Sequence, residues 1–235
     1  MGYSLGIDLG ATTCVVALRR AAAVEVCRIG EDDSGMPAVA LPRPDGSLLV
    51  GEEADGRSEY EPALVARYVV SRLGDGQPID IDGHHIDPLT LTRAVLREAM
   101  VRAAPLPGVA PDHVVVTYPL LPGVGPEELI ADAAAEEFGP TATLVPAPVA
   151  AVARLAAEHG LGDDAVVAVV DVGGSSVDVT LVRRTPTAFD LVGDPATLAD
   201  LGGVDLDGAV LSLVEGAIGD VSSMVAPGDS AGMLA

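Results

Sequence analysis

One pattern occurs twice in this chain, 163 residues apart. Residues 6–18 read GIDLGATTCVVAL and residues 169–181 read VVDVGGSSVDVTL. The shift aligns Asp8 with Asp171, Gly10 with Gly173, Thr12 with Ser175, Thr13 with Ser176 and Leu18 with Leu181. Each copy runs strand, Asp, apolar residue, Gly, small hydroxyl residues, strand. Alternation of Leu5, Ile7 and Leu9 with Gly6 and Asp8 marks the first strand. TTCVVALRR and AVEVCRI continue the first unit, and SVDVTLVRR and TAFDLVG continue the second. Two three-strand units, each followed by helices, predict a duplicated α/β fold.

Such turns suit phosphate chemistry. Glycine permits positive φ and leaves no Cβ in the way of an approaching anion. Successive N–H groups in a turn of this kind point inward and form a concave anion site. The donors are then backbone amides, so a protein poor in positive charge can still hold a phosphate chain. Asp8 and Asp171 at the strand ends would repel phosphate unless a cation lay between them. Mg²⁺ fits, because it is held by one or two carboxylates, phosphate oxygens and water. A single strand-Asp-x-Gly turn is usually only a tight turn; the matched repetition is what carries the reading.

Between the two units, short strands are predicted in MPAVALP, SLLVG, HVVVTYP and TATLVP, with a small hairpin in IDIDGHHID. Helices are predicted over 62–73, 88–103, 125–138, PVAAVARLAAEHG ending at Gly160, and 204–219. Pro62 and Gly74 would bound the first of them. Hydrophobic residues make up 49% of the chain but aromatics only 3%, so the core must be aliphatic. Glu52-Glu53 and Glu136-Glu137 read as solvated faces. His84-His85 with Asp80, Asp82 and Asp87 read as an exposed turn rather than a metal site, since the spacing gives no facing geometry.

The net charge is −22, and all 13 basic residues are arginines. A coding bias toward arginine and an acidic solvated surface both account for this. No Lys/Arg cluster exists to displace counterions from a polyanion, so no nucleic-acid partner is expected. No stretch of about 20 residues is apolar enough to span a bilayer, and no basic-then-apolar leader opens the chain. The expectation is a cytoplasmic protein without a membrane partner. Cys14 and Cys27 are expected as reduced thiols, facing each other if a turn falls near Arg20-Ala21.

The ordered motifs resemble the nucleotide-binding domain of DnaK-type heat-shock chaperones, within the actin and sugar-kinase superfamily. GIDLGATTCVVAL is similar to that family's first phosphate motif, and VVDVGGSSVDVTLV to its second. SGMPAVAL, LLVGEEA, HVVVTYPLLP, VPAPVAAVARL and DLGGVDLDGAVLSLV resemble the family's segments in the same order, over about residues 4 to 216. The resemblance implies an α/β actin-like ATPase fold of the ribonuclease H-like class. Residues 1–163 would form a nearly complete first lobe, and residues 164–235 the beginning of a second. It implies ATP or ADP bound with Mg²⁺ in the cleft between lobes. Asp8 and Asp171 would hold the metal. Gly10, Ala11, Thr12 and Thr13, with Gly173, Gly174, Ser175 and Ser176, would hold the phosphates. Gly202 and Gly203 would lie at the nucleotide, and Asp171 and Asp178 beside the attacking water. A protein partner or co-chaperone is a further implication.

Several positions depart from the family. Its lysine beside the reacting phosphate falls at Val70 or Ser71, with Arg67 or Arg72 as candidate substitutes. Its glutamate before the connecting helix is Ala147, its first-motif threonine is Ala11, and a glycine of the second motif is Ser175. The family's adenosine-binding and peptide-binding segments lie later than this sequence extends. Hydrolysis is therefore left open. The alternatives are a weak ATPase, or a pseudo-ATPase serving as a structural or interaction module. A sugar- or acetate-kinase-like activity fits the LGG-x-D-x-D segment less well. Asp205 and Asp207 of that segment are read either as helix caps or as ligand contacts.

Overall fold

The computed structural model describes residues 2–31, 35–73, 75–104, 109–120, 125–199 and 201–218. The first meander is β1 (Ser4–Leu9), β2 (Thr13–Arg20) and β3 (Ala23–Cys27), paired antiparallel. Ala21 takes a left-handed φ of 51° to close the second turn. That turn sets Cys27 opposite Val16, while Cys14 lies opposite Leu9 and Met36. The two thiols are thus two residues out of register, and both are free.

A short β4 (Met36–Pro37) joins β2, and β5 (Ala40–Pro42) pairs with β6 (Leu48–Val50) ahead of the one-turn α1 (Glu52–Asp55). The helix predicted over 62–73 does not form, and Gly74 lies outside the described residues. Short 3₁₀ turns at Pro62–Leu64 and Val70–Arg72 flank an extended stretch. Ala66 exchanges both backbone bonds with Ala40, at 2.7 and 3.1 Å. Tyr68 sits at a φ of 56°, which no right-handed helix accepts. Val69 and Val70 drop fully into the core. Strand pairing and burial outweigh a weak helical pattern rich in β-branched residues.

The hairpin β7 (Ile79–Ile81) and β8 (His84–Ile86) forms as expected, with His85 Nδ1 3.3 Å from Asp80. No cluster of metal-ligating side chains occurs among the described residues. Then come α2 (Pro88–Ala103), β9 (His113–Tyr118), α3 (Pro126–Phe138), β10 (Ala142–Pro146) and α4 (Ala147–His159). Asp87 caps α2 by accepting the Leu89 N–H at 2.9 Å. β9 runs parallel to β1 and β10 parallel to β9, giving a mixed sheet in the order β10-β9-β1-β2-β3 with β4 on β2.

One face of this sheet is the core. Leu5, Ile7, Leu9, Val114 and Val116 are buried with Leu91, Val95, Leu96, Ala99, Ile130, Ala133 and Ala134 from α2 and α3. Burying each larger aliphatic side chain contributes about 1.5–3 kcal/mol. The acidic pairs divide. Glu53 and Glu136 are solvated, but Glu137 is 5% exposed and holds Arg97 at 2.7 Å and Arg93 at 3.2 Å on α2. Glu52 is likewise engaged by Arg102, which also bonds Glu98 at 2.7 Å. These carboxylates tie separate elements together, which residue type alone does not disclose.

A second antiparallel meander follows: β11 (Val166–Val172), β12 (Val177–Arg184) and β13 (Phe189–Leu198). The helix α4 lies against it and against β9 and β10, so it links the two sheets. The helix α5 (Gly203–Ile218) closes the described region. This mixed α/β architecture is compatible with an actin-like ATPase fold. No helix among the described residues is long and apolar enough to cross a membrane.

Candidate functional site

The repeated motifs fold into matching turns. Gly10 donates its N–H to the Thr13 carbonyl at 3.1 Å, and Gly173 donates to the Ser176 carbonyl at 2.9 Å. The same bond recurs at the same offset. Ala11 and Thr12 in one turn, and Gly174 and Ser175 in the other, direct their N–H groups to no acceptor among the described residues. These are the amides that a phosphate chain would take up.

The turns also meet. A Cβ on Gly174 would lie 2.2 Å from Thr12 Cγ2 and 2.8 Å from its hydroxyl. A Cβ on Gly10 would lie 2.7 Å from the Thr13 carbonyl oxygen. Glycine at these positions is therefore a packing requirement.

Both strand-end carboxylates face the space between the sheets. Asp8 stands beside Thr117 on β9, whose hydroxyl donates to it. Asp171 stands directly opposite Asp178 on the neighbouring strand. Asp178 accepts from Ser176 at 2.7 Å and from Thr197 at 2.5 Å. Burial, then the charges of Asp178 and Asp8, push the Asp171 carboxyl above its ordinary range. Asp8, Asp171 and Asp178 thus share one electrostatic environment. All three line a cleft of about 760 Å³ together with both turns, Thr117, Thr180 and the first turns of α4.

Positive charge is scarce there. Arg154 on α4 is the basic residue lining the cleft, and it is paired with Glu158 at 2.6 Å. Arg67 is held by Asp55 and by Ser58 at 2.9 Å, and Arg72 by Asp75 at 2.6 Å. Neither reaches the cleft, so the substitute cation expected from them is not present. Val70 is buried in the core, whereas Ser71 Oγ lies 3.2 Å from Ser175 Oγ in the second turn. Two departures from the family pattern therefore touch each other. Ala147, at the start of α4, also lines the cleft and offers no carboxylate.

The Leu-Gly-Gly segment joins the second turn to α5. Gly203 donates to the Gly173 carbonyl and Val204 to the Gly174 carbonyl, each at 3.0 Å. Gly202 donates to the Asp205 carboxylate at 2.8 Å. Neither Gly202 nor Gly203 lines the cleft. The Gly203 and Val204 amides seat α5 on the second turn, and the Asp205 carboxylate, which accepts the Gly202 N–H, is the reciprocal half of a helix cap. Of the two roles left open for Asp205, capping is the one observed.

Thr117 and Thr197 were not legible as site residues. Each is an unremarkable strand threonine until pairing brings it to a carboxylate.

Asp8, Asp171 and Asp178 present oxygen donors along one cleft with the free turn amides beside them, but they form no cluster close enough to hold a metal ion among the described residues; oxygen donors of this hardness are the kind a small divalent ion takes.

No family model matches the chain. It is similar to curated chaperone protein HscA homologs. That of Tolumonas auensis is 27% identical over 247 residues, 96% of this chain and 38% of the relative. That of Bordetella petrii is 27% identical, covering 96% and 39%, and that of Azotobacter vinelandii 26%, covering 90% and 37%. The chain spans well under half the length of these relatives. The similarity supports a distant relation to heat-shock-type chaperones and does not single out the DnaK type.

Proposed function

We propose that the cleft binds ATP or ADP as a magnesium complex, in a DnaK-like domain with weak ATPase activity. Residues 1–163 are assigned to the first lobe and residues 164–235 to the second. The observation that carries this reading is the pair of matching turns, with free amides on both sides and carboxylates at both strand ends.

Asp8 and Asp171 would hold magnesium, which when bound neutralises phosphate charge. The free amides of Ala11, Thr12, Gly174 and Ser175, with the turn hydroxyls, would hold the phosphate chain, while Gly10 and Gly173 close the two turns by donating to Thr13 and Ser176. Thr117 fixes the orientation of Asp8. Asp178, steadied by Ser176 and Thr197, stands opposite Asp171, so the two carboxylates orient a water and accept its proton. Arg154, the arginine that lines the cleft, is already paired with Glu158. Loss of one electrostatic stabiliser costs roughly 10²–10³ in rate, so turnover is slow. A cytoplasmic location and a chaperone-related protein partner belong to the same proposal.

A second reading is a pseudo-ATPase that serves as a structural or interaction module. The Ser71–Ser175 contact favours it, because two hydroxyls occupy the place where a charge would act on the phosphate.

Calorimetric titration of MgADP and MgATP into the chain and into Asp8→Ala tests the site. Micromolar binding, lost in the variant, is the expected result. No binding to the intact chain overturns the nucleotide-binding reading and leaves the structural or interaction module, and binding without any turnover removes the ATPase activity from the first reading.

A further inference from the structure

Each of the two turns that line the cleft offers one concave site for an anion. Ala11 and Thr12 leave two N–H groups open in the first turn, and Gly174 and Ser175 leave two in the second. A set of successive amides of this kind encloses one anionic group. The two sites are adjacent, because a Cβ on Gly174 would lie 2.2 Å from Thr12 Cγ2. They match two neighbouring phosphates of one chain.

A third phosphate would find neither a further turn nor a free cation among the described residues. Arg154 is the arginine that lines the cleft, and Glu158 engages it at 2.6 Å. The second turn is met by the short turn Val70–Arg72, through Ser71 Oγ at 3.2 Å from Ser175 Oγ. Arg72 of that turn is directed to Asp75 at 2.6 Å instead, and the sequence holds no lysine. What the segment brings to the second turn is a neutral hydroxyl.

The remaining charge in the cleft is negative, from Asp8, Asp171 and Asp178. Burial, then the charges of Asp178 and Asp8, already raise the Asp171 carboxyl, so one more negative charge is disfavoured there. A triphosphate carries more negative charge than a diphosphate. Magnesium, where bound, neutralises the same amount on either chain and leaves the difference. The terminal phosphate of the longer chain would stand against carboxylates with no compensating donor.

We propose that the cleft holds a nucleoside diphosphate more tightly than the triphosphate, with the neutral Ser71–Ser175 pair at the second turn as the determinant. This rests on the nucleotide-binding reading and names the ligand class within it.

Calorimetric titration of the 235-residue chain with MgADP and with MgATP tests this. MgADP should bind roughly tenfold more tightly than MgATP. Ser71→Lys places a compact cation on a flexible stem beside the second turn. It should erase the preference, chiefly by tightening MgATP. Ser71→Met has similar reach without the charge and should keep the preference. Circular dichroism checks both variants against the parent, and the parent's own ratio decides the proposal even where a variant does not fold. Equal affinity for the two nucleotides in the parent, or tighter MgATP, overturns the proposal and leaves the nucleotide-binding reading standing. A preference unchanged in Ser71→Lys, or lost equally in Ser71→Met, overturns it too, because charge at that position would then not be the determinant. Binding of neither nucleotide overturns the reading and the proposal together.

Discussion

Replacing Asp171 by Asn should stabilise the chain at neutral pH while removing the candidate metal site. Asp171 faces Asp178 directly across the β11–β12 ladder and feels Asp8 from the other sheet. Two unit charges about 5 Å apart at an effective dielectric near 20 repel by roughly 3 kcal/mol. The cleft is open to water, which lowers that figure toward the size of other cross-strand side-chain interactions, about 0.2–1 kcal/mol. With the weaker repulsion from Asp8 included, the gain is about 1 kcal/mol, or roughly 2–4 °C in Tm for a chain of this size. The pH dependence fixes the sign. Folding raises the Asp171 pKa above its ordinary 3.8, so the unfolded chain ionises more readily. The parent chain is therefore penalised above the folded pKa and relieved as pH falls toward the unfolded value. Thermal melts of parent and variant, without metal, should differ at pH 7 and converge below about pH 4. MgADP should then raise the Tm of the parent and leave the variant unchanged. A variant that melts no higher than its parent at pH 7, in the absence of metal, would refute the reasoning.

Three further outcomes are expected. Gly174→Ala places a methyl 2.2 Å from Thr12 Cγ2 and forces the phosphate turns apart; it should cost about 1–3 kcal/mol in denaturant melts and weaken MgADP binding in calorimetry. Glu137→Ala removes the 5% exposed carboxylate that holds Arg93 and Arg97. The arginines are partly solvated, so the loss in urea unfolding should be about 1–2 kcal/mol, below the cost of breaking a wholly buried pair. Cys14 is fully buried, and burial with the Asp8 charge pushes its thiol up to about 12. Maleimide should therefore label the partly exposed Cys27 first and reach Cys14 only on unfolding, as mass spectrometry would follow.

The sequence by itself determined the elements whose signals are local. The 163-residue repeat marked both meanders, because alternation and a glycine turn specify a hairpin with few distant partners. Pro88 to Ala103 and Pro126 to Phe138 carried helical periodicity and bounds, and both formed. The carboxylates Asp8 and Asp171 were legible as candidates because each copy of the motif names its own, whereas Asp178, which aligns with Val15, entered only through the family resemblance.

Tertiary structure decided what depends on pairing between distant strands. Val65 to Val70 left the helical pattern because Ala66 found Ala40 and the valines found the core. Thr117 joined Asp8 because a parallel register aligned β9 with β1, and no local signal encodes that register. The Gly203 amide met the Gly173 carbonyl and the Gly202 amide the Asp205 carboxylate, bonds that tie the Leu-Gly-Gly segment to the second turn and to α5. Ser71 reached Ser175 across 104 positions of sequence. Short-range pattern sets which backbone states are cheap. Which side chains then face one another follows from how the sheets and helices pack.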